Sequence, residues 1–149
     1  MSSIPTSGRI LALDWGERRF GVARSDETQT LASPLETLTR RAGKRFPMPR
    51  FLELVAEAEA AGIIVGLPLA LDGSEGANAA AARELAALVA RRTALPVELV
   101  DERYTTVAAL DAIREMGGST RGRKGDVDAL AACVLLQGYL EARRTRGGP

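Results

Sequence analysis

The chain has 149 residues, 46% hydrophobic and 26% charged, with a formal net charge of +1 and no histidine. That length suffices for one domain with its own core, and the missing imidazole excludes Ser-His-Asp triads, Cys-His pairs and histidine-ligated zinc. One cysteine, Cys133, excludes an internal disulfide and a thiolate metal cluster within one chain.

Acid, base and metal chemistry therefore falls to carboxylates. No apolar run approaches the ~20 residues of a membrane span. The opening MSSIPTSGRI lacks the basic and apolar regions of a signal peptide, so a cytoplasmic protein is expected. Arginine outnumbers lysine and clusters around Arg18–Arg24, Arg40–Arg50, Arg121–Lys124 and Arg143–Arg146. The planar guanidinium fork suits phosphate, so these clusters fit nucleic acid as well as they fit a solvated mixed-charge surface.

Residues 9–14 are an apolar run ending in Asp14-Trp15-Gly16, and the charged turn Glu17-Arg18-Arg19 followed by FGVARSD completes a predicted β-hairpin. A third strand is predicted from Ala32 to Leu38. The arginine-rich stretch with Pro47 and Pro49 reads as a loop, and Phe51, Leu54, Val55 and Ala58 have helical spacing from Arg50 onward. AGIIVGLP is a continuous apolar strand stopped by Gly66 and Pro68, the kind found in a doubly covered parallel sheet. After the LDGSEG loop, a helix is predicted over Asn78–Arg92 with Asn78 as its N-cap. LPVELVDER reads as a strand, TTVAALDAIREMG as a helix closed by Gly117 and Gly118, GGSTRGRKGD as a basic loop, and VDALAACVLLQGYLEARR as a mostly buried helix. In that last segment Cys133 reads as a buried, inert thiol. The order β-β-β-α-β-α-β-α-α describes a single α/β domain over 1–149, with an antiparallel hairpin edge and parallel strands joined by helices.

Three acidic positions stand out. Asp14 lies at the carboxyl end of the first strand, where ligand sites of open α/β sheets gather, although an aspartate beside Gly16 also suits a simple turn. In DERYTT, Asp101 and Glu102 should face opposite ways, so one of them can share Asp14's side; a helix cap near Thr105 is the bland reading. Asp126 and Asp128 open the final helix, where the helix dipole alone favours carboxylates. Three carboxylates from distant parts of the chain would form an all-oxygen pocket suited to Mg²⁺ or Mn²⁺. Two such ions ~4 Å apart hydrolyse phosphodiesters without histidine.

The segments LALDWGERRFGVARSD, ASPLETL, IIVGLPLALDGSEG, LPVELVDERYTT and DVDALAACVLLQGYLE, in that order, resemble the YqgF/RuvX family of Holliday-junction resolvase-like proteins, also regarded as nucleases of pre-16S ribosomal RNA. The resemblance implies a ribonuclease-H-like fold, with a mixed central sheet and helices on both faces, and Mg²⁺- or Mn²⁺-dependent cleavage of structured RNA or branched DNA by a monomer or homodimer. By motif, Asp14, Glu102 and Asp128 are the implied catalytic and metal-ligating residues, one of them also orienting the attacking water, with Asp101 and Asp126 as substitutes. Arg18, Arg19, Arg103, Arg121, Arg123 and Lys124 are the expected nucleic-acid contacts, and Thr105 and Thr106 either assist Glu102 or are structural. One departure is Glu27-Thr28-Gln29, where the family often has a proline and glycine turn.

Other readings compete. Trp15 could stack on a base but suits the core better, and LDGSEG could cradle phosphate but suits a connector better. A ribosome-maturation factor could hold RNA through the basic loops without cutting it. Actin-like ATPases and sugar kinases also open on an Asp-x-Gly strand turn, yet they need a second lobe that this length does not offer.

Overall fold

The computed structural model describes residues 4–40, 45–69, 72–102 and 124–146. In chain order these form β1 (Ile10–Asp14), β2 (Arg19–Ser25), β3 (Ala32–Thr39), α1 (Met48–Ala58), β4 (Gly62–Leu67), α2 (Ala77–Thr93), β5 (Val97–Asp101) and α3 (Lys124–Arg146). They build a five-stranded sheet of order β3-β2-β1-β4-β5. The β1–β2 and β2–β3 pairs are antiparallel, and β1–β4 and β4–β5 are parallel, as the hairpin and crossover pattern predicts. The helix expected over TTVAALDAIREMG and the basic loop before α3 lie outside the described residues.

Strand alternation divides the core into two layers. Leu11, Leu13, Phe20, Val22, Ile63 and Val65 face α1 and α2, where they meet Phe51, Leu54, Leu85 and Val89. Ile10, Ala12, Ala23 and Ile64 face α3 and meet Ala131, Ala132, Leu135, Leu136 and Leu140. Helices therefore cover both faces of the sheet. Cys133 is half-buried beside the α3 layer, and burial raises its thiol pKa, which suits an inert packing role.

Helix α3 crosses almost the whole sheet. Its Gln137 accepts from the Ala32 amide at 2.9 Å and donates to the Thr30 carbonyl at 3.0 Å, and Tyr139 donates to Glu98 at 3.2 Å. Its closest approach is to β2 at Gly21, where a methyl group would overlap the carbonyl oxygen of Asp128. Glycine lets the helix backbone lie directly on the strand.

Several boundaries differ from the sequence expectation. Helix α1 begins at Met48, so Pro49 sits in its first turn, where its missing N–H costs nothing. Strand β4 runs through Gly66 to Leu67 and ends before Pro68, so of the two expected stops only the proline marks its end. Helix α2 is preceded by Gly76 with no side-chain cap, and Asn78 lies inside its first turn. Helix α3 starts at Lys124, ahead of the expected Val127.

The unusual β2–β3 connection is closed by Asp26. Its carboxylate accepts from the amides of Thr30 at 2.7 Å and Leu31 at 3.2 Å and from the Thr28 hydroxyl at 3.1 Å. Gln29 adopts φ +57 without being glycine, and its side-chain amide donates to the carbonyls of Pro5 and Gly8, both at 3.0 Å. Those anchors offset the left-handed strain.

Two outcomes are expected. Gly21→Ala must push α3 off the sheet and should cost about 1–3 kcal/mol of unfolding free energy in urea titrations. The amide donors of Thr30 and Leu31 hold the Asp26 carboxyl below its ordinary value of 3.8, so its contribution is complete above 3.8 and is lost as pH falls through the lower folded value. Asp26→Ala should therefore melt below the native protein by a constant margin at neutral pH, and the margin should close only in acid.

Candidate active site

Asp14 is the last residue of β1 and, by alternation with Ile10 and Ala12, points to the α3 side of the sheet. Its cross-strand partner on β2 is Gly21, which contributes no side chain, so the space beside the carboxylate goes to α3. Asp14 is 4% exposed.

Glu102 follows β5. Its amide donates to the Leu67 carbonyl at 3.3 Å, which extends the β4–β5 pairing by one residue. Its Oε1 is buried, in the space that a side chain at Gly66 would fill. A methyl on Gly66 would stand 2.5 Å from that oxygen and 3.0 Å from the Leu135 Cδ2. Asp101 is exposed and does not line the cleft formed by its neighbour, so the alternation argument selects Glu102.

Asp128 comes from the early part of α3 and is 1% exposed. It accepts from the Nε of Arg19 at 2.7 Å, while the Arg19 side chain remains 36% exposed. Arg19 and Gly21 lie on one face of β2, so the glycine that admits the helix also brings Asp128 within reach of the guanidinium.

The three carboxylates line a single cleft of about 500 Å³. Arg18 and Arg19 lie on its wall, together with Trp15, Pro68 and Asn78. Trp15 packs on the core, edge-on to Phe20 with ring centroids 6.4 Å apart, as its core reading expects, and also lines the cleft. LDGSEG, from Asp72 on, is an internally braced connector: Asp72 accepts from the Ser74 amide at 2.8 Å, and Glu75 pairs with Arg83. Arg103, Thr105, Thr106, Arg121 and Arg123 lie outside the described residues. Lys124 and Asp126 fall in the first turn of α3.

Sequence reasoning missed Gly21, Gly66 and Asn78 as parts of the site. Glycines inside apolar strands were the available signal for the first two; Asn78 offered only its capping propensity.

The donor chemistry fits a hard divalent cation, since the set is entirely carboxylate oxygen. Among the described residues no three acidic side chains already stand close enough to hold one ion, and Arg19 is the cation paired with Asp128.

The sheet order and the cleft at the end of β1 define a ribonuclease-H-like α/β fold. *Thermus thermophilus* RuvC, solved in complex with a Holliday junction substrate, superposes with a TM-score of 0.58 at 16% identity over 94% of this chain and 96% of that one, which is a likeness of fold. The profile of the RuvX family, described as Holliday junction resolvase, matches residues 8–142. A *Clavibacter sepedonicus* protein named "Putative pre-16S rRNA nuclease" is 42% identical over 142 residues, covering 95% of this chain and 88% of the relative. A protein of the same name from *Anaeromyxobacter* sp. strain Fw109-5 is 44% identical over 135 residues, 91% of this chain and 98% of its own. The chain belongs to the RuvX family and is a nuclease, a hydrolase of phosphodiester bonds.

Because Gly66 makes room for Glu102, Gly66→Ala and Glu102→Ala should be coupled. A double-mutant cycle on unfolding free energy is expected to give about 0.5–3 kcal/mol of interaction, with the Gly66 substitution tolerated better once Glu102 is shortened. Additivity would mean that Leu135, and not the carboxylate, sets the contact.

Proposed function

We propose that this protein is a divalent-metal-dependent nuclease of structured RNA, with pre-16S ribosomal RNA as its substrate and the cytoplasm as its place of action. The observation that carries the proposal is the meeting of Asp14, Glu102 and Asp128 in one cleft with Arg18 and Arg19 on its wall. The relatives at 42% and 44% identity favour RNA, whereas the junction-bound neighbour, at 16%, speaks for fold alone.

Asp14, Glu102 and Asp128 would hold Mg²⁺ or Mn²⁺. When bound, such an ion activates water and stabilises the leaving oxygen of a phosphodiester. The chain supplies the rest. Burial of Asp14 and Asp128 fixes their carboxylates on rigid elements and keeps competing water away. Arg18 and Arg19 orient the phosphate through their planar forks, and Arg103, Arg121, Arg123 and Lys124 extend the grip along the backbone. Trp15, at the cleft edge, offers a face to an unpaired base. A cut in one strand needs one cleft, so a monomer suffices; a symmetric junction cut would need a homodimer.

The test incubates the native protein and Asp14→Asn with Mn²⁺ or Mg²⁺ and equal amounts of a labelled pre-16S fragment and a four-way DNA junction. Native protein should cut the RNA, chelation should stop it, and Asp14→Asn should lower the rate at least about a hundredfold while still binding RNA. Cleavage of the junction alone would replace the substrate. Binding without cleavage by both proteins would leave a non-catalytic maturation factor.

A further inference from the structure

The cleft wall pairs a cation with one of the residues that a metal ion would need. Asp128 is 1% exposed and receives Arg19 Nε at 2.7 Å. A carboxylate taken this far from water requires a balancing charge. The pairing is built into the backbone, because Gly21 seats the Asp128 carbonyl against β2 two residues from Arg19. Arg19 also stands 36% exposed on the wall of the cleft that Asp14 and Glu102 share. It therefore faces both the acidic interior and any phosphate that enters. A guanidinium on Asp128 and a divalent cation on the same carboxylate repel each other, so each weakens the other's hold on it.

We propose that Arg19 is a resident counter-cation that holds Asp128 until a divalent ion enters, and that on displacement it turns its fork to the phosphate of the nucleic acid. Arg19 is thus a positioning residue that links metal entry to substrate grip. Each event releases the same ion pair, so each favours the other. This rests on the reading of the cleft as a metal site. It goes beyond that reading by assigning the competing cation and the route of coupling.

The experiment measures Mn²⁺ binding to nucleic-acid-free protein by the loss of the free-ion paramagnetic resonance signal, for the native chain, Arg19→Gln, Arg19→Lys and Asp14→Asn. Removing the competitor should tighten Mn²⁺ binding about tenfold in Arg19→Gln. Arg19→Lys, which keeps the charge, should stay near the native value, and Asp14→Asn should lose affinity. Unchanged or weaker binding in Arg19→Gln, with native binding present and Asp14→Asn impaired, would overturn the competition and leave the metal site standing. Absence of Mn²⁺ binding to the native protein would overturn both.

A second arm does not depend on Arg19→Gln folding with an uncompensated carboxylate. With chelator present, a fluorescent single-stranded RNA should bind Asp128→Asn more tightly than native protein, because Arg19 is freed. The gain should vanish in Arg19→Gln/Asp128→Asn, which buries no charge at that pair. A gain that persists in the double variant would show that lost negative charge explains it, and would overturn the transfer of Arg19 to phosphate. Circular dichroism melts confirm that each variant is folded.

Discussion

The contact on which the site depends is the backbone approach of α3 to β2 at Gly21. Helices that cover a sheet ordinarily ride on a layer of side chains; here an atom as small as a methyl carbon would collide with the Asp128 carbonyl. This approach places Asp128 beside Arg19 and gives the space next to Asp14 to the helix. Gly66 does the same on β4 for Glu102. The acidic cleft is shaped by two missing side chains as much as by the carboxylates that fill the space.

Electrostatics sets the second constraint. Carboxylates brought together in a poorly hydrated cleft repel, and the cost grows as local polarisability falls. Asp14 and Asp128 are almost wholly buried, and the chain has no histidine to share the load. Positive charge must come from arginine, lysine or an ion. The Arg19–Asp128 pair shows how the fold meets that need with its own side chain, on a strand whose neighbouring residues already hold the helix in place.

Much of this was legible in the sequence because it follows from periodicity. Strands β1 and β4 are short apolar runs, the hairpin follows its charged turn, and alternation alone predicts that Asp101 and Glu102 part company. The family motifs implied the ribonuclease-H-like fold, and the sheet order agrees with it. What was not legible concerns contacts between distant residues. Gly66 read as the end of a strand because glycine weakens strands, whereas its purpose is to leave room for a residue 36 positions later. Asn78 read as a cap by its chemistry, but Gly76 already occupied that place. Pro49 read as loop although proline is at home in a first helical turn. The departure at Glu27-Thr28-Gln29 kept a tight turn by a different device, the Asp26 carboxylate and the anchored amide of Gln29.

The sequence separation within the cleft bears on when the cleft can form. Arg19 and Asp128 are 109 residues apart, and α3 is the last described element of the chain. Domains synthesised from the amino terminus form local hairpins before they gain distant contacts. The β1–β2 hairpin can therefore fold on the ribosome while its cleft still lacks Asp128 and the helix that carries it. The cleft is thus closed by an element that docks late onto the strand pair able to form first, so its lining is assembled by tertiary docking and not by any local segment.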